Sequence, residues 1–207
     1  MRLLDLCAGE LGWAYAFAKR GHICVCVDLR RPRRAVPQGC HVIEGDILDI
    51  TADYVRNFDF VVASTPCEEF SVHGMKHFHP HPPYPELGMK LFNHTRSLCK
   101  ASGVPYVMEN VKAAEKFVGP AGAHCGPFYL WGTAIPPLLH RGISKNMSQA
   151  RERGPDGKRI YAASADRMWS TKRKQVVATI PPELANCVAE YAERILEQNC
   201  AVREMSK

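Results

Sequence analysis

The chain lacks an apolar run long enough to cross a bilayer, lacks any paired Cys-x-x-Cys, and shows no internal repeat or low-complexity tract. The first absence excludes a membrane-spanning helix, which needs roughly 20 consecutive apolar residues. The second concerns nine scattered cysteines, an odd number. Scattered, unpaired cysteines argue against a zinc site or disulfide framework and for a reducing compartment. Met1 leads directly into Leu3-Leu4-Asp5-Leu6, so no signal peptide is expected. What remains is 207 residues, 46% hydrophobic and 23% charged. That suits one domain, or one domain with an insertion, built on a real core. A net charge of +6 is modestly basic. It is compatible with nucleic acid without requiring it.

The most informative stretch is Ser64-Thr65-Pro66-Cys67-Glu68-Glu69-Phe70-Ser71. It follows Phe58-Asp59-Phe60-Val61-Val62-Ala63, a short apolar run expected to be a buried strand. A cysteine therefore stands at a proline turn on the carboxyl end of a strand, the rim where open α/β sheets bind ligands. It is either a thiolate nucleophile or a buried structural cysteine. Upstream, residues 2–7 and 22–27 read as strands around a helix over 13–20, with Ala8-Gly9-Glu10-Leu11-Gly12 as the turn. Asp28 ends the second strand, roughly 20 residues after the turn, where an acid accepts ribose hydroxyls. The unit proposes an adenosine-type cofactor; an ordinary tight βα loop is the alternative. The dinucleotide fingerprint is not met, because Leu11 replaces one glycine and no third follows.

Arg30-Arg31-Pro32-Arg33-Arg34 is a charged loop, either a phosphate-contacting patch or a solvated turn. Val42 to Ile47 gives a third strand, and residues 51–57 a short helix. Residues 72–84 hold His73, His77, His79 and His81 among prolines. A lid beside Cys67 is favoured there over a metal site, since no carboxylate or cysteine is interleaved. A helix over 85–100 precedes a strand, Val104 to Met108, that ends at Glu109-Asn110-Val111. Glu109 is a second ionisable group at a strand end, or a capping or surface acid. Phe128 to Gly132 reads as a strand, and the chain from His140 to Arg167 is basic and weakly periodic. A last helix opens at Pro181-Pro182-Glu183, with Leu184, Val188, Tyr191, Ile195 and Leu196 at helical spacing. The expected architecture is α/β: a Rossmann-like sheet with helices on both faces. Its expected divisions are a cofactor-binding core over 1–118, a small insertion over 119–168, and a C-terminal segment, 169–207, whose helix packs back on the core.

These residues, in this order, resemble the cytosine-5 DNA methyltransferase family, and its compact phage- or prophage-like members most. Asp5-Leu6-Cys7-Ala8-Gly9-Glu10-Leu11-Gly12 resembles the cofactor loop, Asp28 the ribose acid, and Gly45-Asp46-Ile47 the adenine-contacting turn. Thr65-Pro66-Cys67-Glu68-Glu69-Phe70-Ser71 resembles the Pro-Cys-x-x-Phe-Ser catalytic motif. Glu109-Asn110-Val111 resembles the catalytic acid motif, and Ile180 to Ala185 the closing motif. Cys7 replaces the family's usual aromatic, and Leu11-Gly12 its Gly-Gly. Gln149-Ala150-Arg151-Glu152-Arg153 fits the letters of its Gln-x-Arg-x-Arg motif.

The resemblance implies S-adenosylmethionine as cofactor, held by Asp5, Cys7, Ala8, Gly9, Leu11, Gly12, Trp13, Asp28, Leu29, Asp46, Ile47 and Pro66. It implies duplex DNA as partner, with the target cytosine flipped from the stack. Cys67 would attack carbon 6 as thiolate, from an ordinary thiol pKa of about 8.5. Glu109 would hold a proton at ring nitrogen 3, which calls for a pocket that raises its pKa above about 4.3. Phosphate contacts are assigned to Arg30, Arg31, Arg33, Arg34, Ser71, Arg151, Arg153, Lys172, Arg173 and Lys174. No metal and no membrane partner are expected. The expected setting is the cytoplasm of a bacterial or phage-infected cell. An RNA cytosine methyltransferase and an inactive nucleic-acid-binding relative stand as alternatives.

Overall fold

The computed structural model describes residues 1–70, 85–137 and 180–205. Their strands form one seven-stranded sheet: β1 (Arg2–Leu6), β2 (Ile23–Asp28), β3 (Cys40–Glu44), β4 (Phe60–Ser64), β5 (Tyr106–Asn110), β6 (Ala123–Cys125) and β7 (Phe128–Gly132). Their spatial order is β3-β2-β1-β4-β5-β7-β6. The first five are parallel, and β7 runs antiparallel to both β5 and β6. The chain winds outward from β1 through β2 to β3, then restarts at β4 on the other side. The crevice between β1 and β4 is therefore the topological switch point, where open α/β sheets bind ligands.

Among the described residues five helices accompany the sheet: α1 (Gly12–Lys19), α2 (Ala52–Val55), α3 (Pro85–Ser102), α4 (Glu115–Val118) and α5 (Pro182–Met205). One face packs under α1 and α5, with Leu3, Phe17, Phe60, Val62, Leu184 and Val188 among its core. The other packs under α2, α3 and α4 around Leu4, Leu6, Val61, Phe92 and Met108. β4 reads as a near-continuous apolar run because both its faces are covered, and β1 does too apart from the buried Asp5. β3 is an edge strand and exposes His41, Ile43 and Glu44. The expected α/β sheet with helices on both faces is what the chain forms.

Two boundaries and one buried face differ in part from the sequence reading. The third strand begins at Cys40 and ends at Glu44, because Asp46 leaves the ladder to cap a single 3₁₀ turn, accepting from Leu48 N–H at 2.9 Å. The sheet also continues past residue 118. β6 and β7 lie within the stretch expected to be an insertion, yet β7 pairs with β5 residue for residue from Val107↔Gly132 to Asn110↔Tyr129. The Gly119-Pro120-Ala121-Gly122 breaker cluster is thus a connection within the core, and the rest of the expected insertion, from residue 138, lies outside the described residues. Finally, α5 buries Ala185, Ala189 and Ala192 beside Leu184 and Val188, while Tyr191, Ile195 and Leu196 are only half-buried. The alanine stripe lets α5 lie close on α1. Arg20 and His22 then clamp it from outside: Glu193 receives Arg20 at 2.6 Å and His22 at 2.8 Å.

Candidate active site

Because β1, β2, β4 and β5 are parallel and adjacent, their carboxyl ends share one rim. Four expected site elements follow from that: the turn after β1, Asp28, the turn carrying Cys67, and Glu109. Ser64, the last residue of β4, pairs with Glu109 on β5. The next residue, Asn110, is fully buried and reaches across to the turn. Its Nδ2 donates to the Thr65 carbonyl at 2.9 Å and to Thr65 Oγ1 at 3.1 Å. Its Oδ1 accepts from Val111 N–H at 2.8 Å. One amide thus fixes the backbone just before Pro66-Cys67 to the strand end that carries Glu109.

The far side of the turn is equally held. Phe70 N–H donates to the Cys67 carbonyl at 3.0 Å, closing a 3₁₀ turn over Glu68–Phe70. Phe70 is buried and stacks on Phe117, ring centroids 5.8 Å apart. It also abuts α3 at Gly88, where an added Cβ would lie 2.8 Å from Phe70 Cζ. Cys67 itself is half-buried and Pro66 exposed. Glu109 is 8% exposed, so the acid is nearly withdrawn from solvent while the thiol keeps access to it.

The turn after β1 is sharply wound. Cys7, Gly9 and Leu11 have φ of 55°, 50° and 62°, so three of five successive residues are left-handed, two of them not glycine. Such backbone concentrates at ligand-binding sites. Ala8 N–H to the Val27 carbonyl at 3.1 Å and Leu11 N–H to the Ala8 carbonyl at 2.7 Å hold it. Asp28 takes Gly9 N–H on one carboxylate oxygen at 2.9 Å and Arg30 N–H on the other at 3.1 Å. Each oxygen keeps accepting capacity. Gly9 is exposed, and a side chain there would meet nothing within 4 Å. Gly12 differs: its Cβ would sit 2.9 Å from Ile180 N, so it is required by the close approach of the chain entering α5.

Three acids converge on this turn. Burial pushes the Cys7 thiol pKa up, and Asp28, Asp5 and Asp46 add repulsion in that order. Asp5 is fully buried in β1 with neither oxygen hydrogen-bonded; the Ala14 amide faces it without reaching hydrogen-bond geometry. Burial raises its pKa well above the ordinary carboxyl value, an effect that amide only partly offsets. A negative turn with an open glycine and an acid at the next strand end fits a cationic nucleoside. The Asp5 oxygens and Gly9 are the observations that carry the fit.

Trp13 is 1% exposed and donates Nε1–H to Ser64 Oγ at 2.9 Å, so its indole ties α1 to the end of β4. Leu29 is exposed and Ile47 buried. Arg30, Arg31, Arg33 and Arg34 are exposed on the loop after β2. Arg34 lies 3.5 Å over the Tyr15 ring and donates to the Glu10 carbonyl at 3.2 Å, and the Arg33 and Arg34 amides reach Glu10 Oε2. The arginine loop is therefore tethered to the β1 turn through Glu10. Sequence reasoning missed Glu10, and also missed the part Asn110 plays inside its own motif. A polar residue within an apolar strand end was the available signal, since buried amides are hydrogen-bonded. Ser71, Arg151, Arg153, Lys172, Arg173, Lys174 and the histidine-rich stretch 72–84 lie outside the described residues.

Among the described residues no helix is long and apolar enough to cross a membrane. A search of curated proteins finds no match. Among solved structures, a triple mutant of Spodoptera frugiperda DNMT2 is 21% identical, with 56% of this chain and 37% of that chain aligned at TM-score 0.39. A protein assigned as a DNA modification methyltransferase, encoded within a prophage (E. coli), is 18% identical over 57% of this chain and 35% of that one, TM-score 0.42. A Lactobacillus casei protein is 23% identical over 52% and 47%, TM-score 0.37. The chain thus spans well under two thirds of the length of these structures. The family described as C-5 cytosine-specific DNA methylase matches residues 1–117. That match covers more than half of the 207 residues and includes both strand-end motifs, and the chain belongs to the C-5 cytosine-specific DNA methylase family.

Proposed function

We propose that this chain methylates carbon 5 of cytosine in DNA through a transient bond from Cys67. The observation that carries the reading is the Asn110 clamp, which joins the Cys67 turn to the strand end bearing Glu109. Cytosine carbon 5 is a poor nucleophile. Attack by the Cys67 thiolate on carbon 6 makes it one, since the electron pair moves through the ring toward nitrogen 3. Glu109 holds a proton at nitrogen 3 and so stabilises the charge that develops there. Its low exposure keeps water from competing for that proton. The family's donor is S-adenosylmethionine, which when bound supplies an electrophilic methyl group. Asp28 would accept its ribose hydroxyls, Gly9 would let the backbone approach it, and the acids around Cys7 would favour its positive charge. Once carbon 5 carries the methyl group its proton passes to solvent, and the electron pair left behind re-forms the carbon 5–carbon 6 double bond as the Cys67 sulfur leaves as thiolate.

The test uses duplex DNA carrying 5-fluorocytosine, whose fluorine cannot leave as a proton, so the sulfur–carbon bond persists. Incubated with cofactor, the protein should form a denaturation-resistant DNA adduct that Cys67→Ala abolishes. No wild-type adduct, or one that survives Cys67→Ala, sinks the proposal. Competition with structured RNA decides the nucleic acid: preferential loss of the DNA adduct would move the substrate to RNA. Calorimetry with S-adenosylmethionine tests the turn separately, because an inactive relative would give little heat.

A further inference from the structure

The sheet face under α1 carries a set of thiols that the reaction above does not use. Cys24 and Cys26 alternate along β2, and both are fully buried in that core. Cys40 opens the edge strand β3, packs against the same cluster and is only partly buried. Cys24 and Cys40 are direct partners in the parallel register. Paired strands lie about 4.8 Å apart, within the ~4.4–6.8 Å Cα separation of disulfides. Cys26 instead pairs with Val42, two residues further along. With a rise of about 3.3 Å per residue, its Cα stands roughly 8 Å from that of Cys40, too far to bridge without backbone movement. Asp5 pairs with Cys26 and shares this face. Among the described residues no three or more His, Cys, Asp or Glu side chains are arranged to hold a metal ion. Thiol oxidation is the chemistry left to the cluster.

We propose that Cys40 is a peroxide-oxidisable thiol and that Cys24 is its resolving partner, the pair forming a disulfide that straps β3 to β2. The charge distribution favours that order of events. The Cys24 thiol, and then the Cys26 thiol, turn toward the Cys40 sulfur and lower its pKa, with a smaller attraction from His41. The same contact with Cys40, followed by burial, raises the pKa of Cys24 and Cys26. Cys24 Sγ also sits 3.7 Å from the Ala14 carbonyl and 3.8 Å from the His22 carbonyl, acceptors that keep its proton on. Cys40 is thus the more accessible sulfur and the one whose pKa is lowered, and Cys24 lies buried beneath it, the arrangement a peroxide sensor needs.

In the first step the Cys40 thiolate attacks one peroxide oxygen. The O–O bond breaks, a sulfenic acid forms on Cys40, and hydroxide leaves. In the second, the Cys24 sulfur attacks the Cys40 sulfur and displaces its oxygen. The Cys24 thiol proton and one proton from solvent leave with the displaced oxygen and hydroxide as water. Two thiols are oxidised and one hydrogen peroxide is reduced to two waters, counting the proton that first left Cys40. The loop that the strap closes contains Asp28 and the four arginines, and does not include Cys67.

The experiment treats the full chain with hydrogen peroxide, blocks remaining thiols by alkylation and digests with trypsin without reduction. The expected product links peptides 21–30 and 35–56. Cys24 and Cys26 share the first peptide, so fragment ions assign the bond. Cys26→Ala should keep the link. Cys24→Ala should lose it and accumulate a sulfenic acid on Cys40 that dimedone traps. Cys40→Ser should lose both signals, and its partly exposed position keeps the test valid if the buried Cys24→Ala variant fails to fold. A link that persists in Cys24→Ala, or no link at peroxide levels that already oxidise Cys67, overturns the proposal.

Discussion

Asn110 makes three hydrogen bonds from one buried side chain, two of them to Thr65 on the neighbouring strand exit. Replacing it with alanine removes all three. The bond to Val111 closes between adjacent residues and counts for little. The two to Thr65 are worth about 1 kcal/mol each, and a Thr65 carbonyl stranded without its donor adds a further ~1 kcal/mol. Thr65 is 3% exposed, so water reaches it poorly. The expected loss is about 2–3 kcal/mol, or a fall of roughly 5–10 °C in unfolding temperature for a domain of this size. The functional cost should be larger. A displacement of about 1 Å in a reacting group costs on the order of 100-fold in rate, and the clamp is what fixes the backbone before Cys67. Thermal unfolding and the rate of adduct formation on 5-fluorocytosine DNA, normalised to folded protein, give the two readouts. Asn110→Asp serves as the control: it keeps the acceptor for Val111 N–H but presents an oxygen to Thr65 where a donor is needed. If Asn110→Ala melts within about 1 °C of wild type, well inside the shift expected for two lost bonds, and its adduct rate is unchanged, the clamp has no such role.

Other consequences are open to measurement. Glu193 is held down to a pKa of about 2, first by its hydrogen bond to Arg20 and then by His22, from an ordinary 4.5. A depressed carboxyl stabilises the fold above its unfolded pKa and loses that contribution as pH falls through 4.5 toward 2. Glu193→Gln should cost about 1 kcal/mol at pH 7, discounted for partial exposure, and converge with wild type in acid; parallel pH profiles would refute the bridge. Asp5 has a raised folded pKa, so its contribution is complete below 3.8 and is lost as pH rises. Asp5→Asn should therefore gain on wild type in unfolding temperature as pH climbs from 4 to 8, and a pH-independent difference would show that the carboxyl is not desolvated. Gly88→Ala places a methyl 2.8 Å from Phe70 Cζ. Overpacking of that kind costs about 1–3 kcal/mol, and because Phe70 anchors the Cys67 turn, the adduct rate should fall with it; an unaltered rate would mean that α3 yields freely.

Residues that announce themselves by chemistry were legible in the sequence. Asp28, Cys67 and Glu109 each follow or end a β-rich apolar run, and period and composition alone put them at strand ends. The turn after β1 was legible as a turn through Gly9. Its left-handed Cys7 and Leu11 were not, since neither residue type favours that conformation. β6 was invisible because three residues carry no period, and it exists only as the partner of β7. The buried stripe of α5 was legible at Leu184 and Val188, but not at Ala185, Ala189 and Ala192, which complete it. Alanines bury better here because the gap to α1 is narrow.

By itself, the sequence determined the alternation of strands and helices, and hence a layered α/β sheet, and it singled out Cys67 and Glu109 as the residues proposed for nucleophile and acid. Local periodicity and turn chemistry act over a few residues and survive being read one segment at a time. The tertiary structure alone decided which ends become neighbours. Ser64 beside Glu109, Thr65 held by Asn110, Glu193 held by Arg20 and Cys24 beside Cys40 are separated by between 16 and 173 positions in the chain. Such pairings arise from strand order and helix docking, which depend on the whole core closing at once rather than on any local preference.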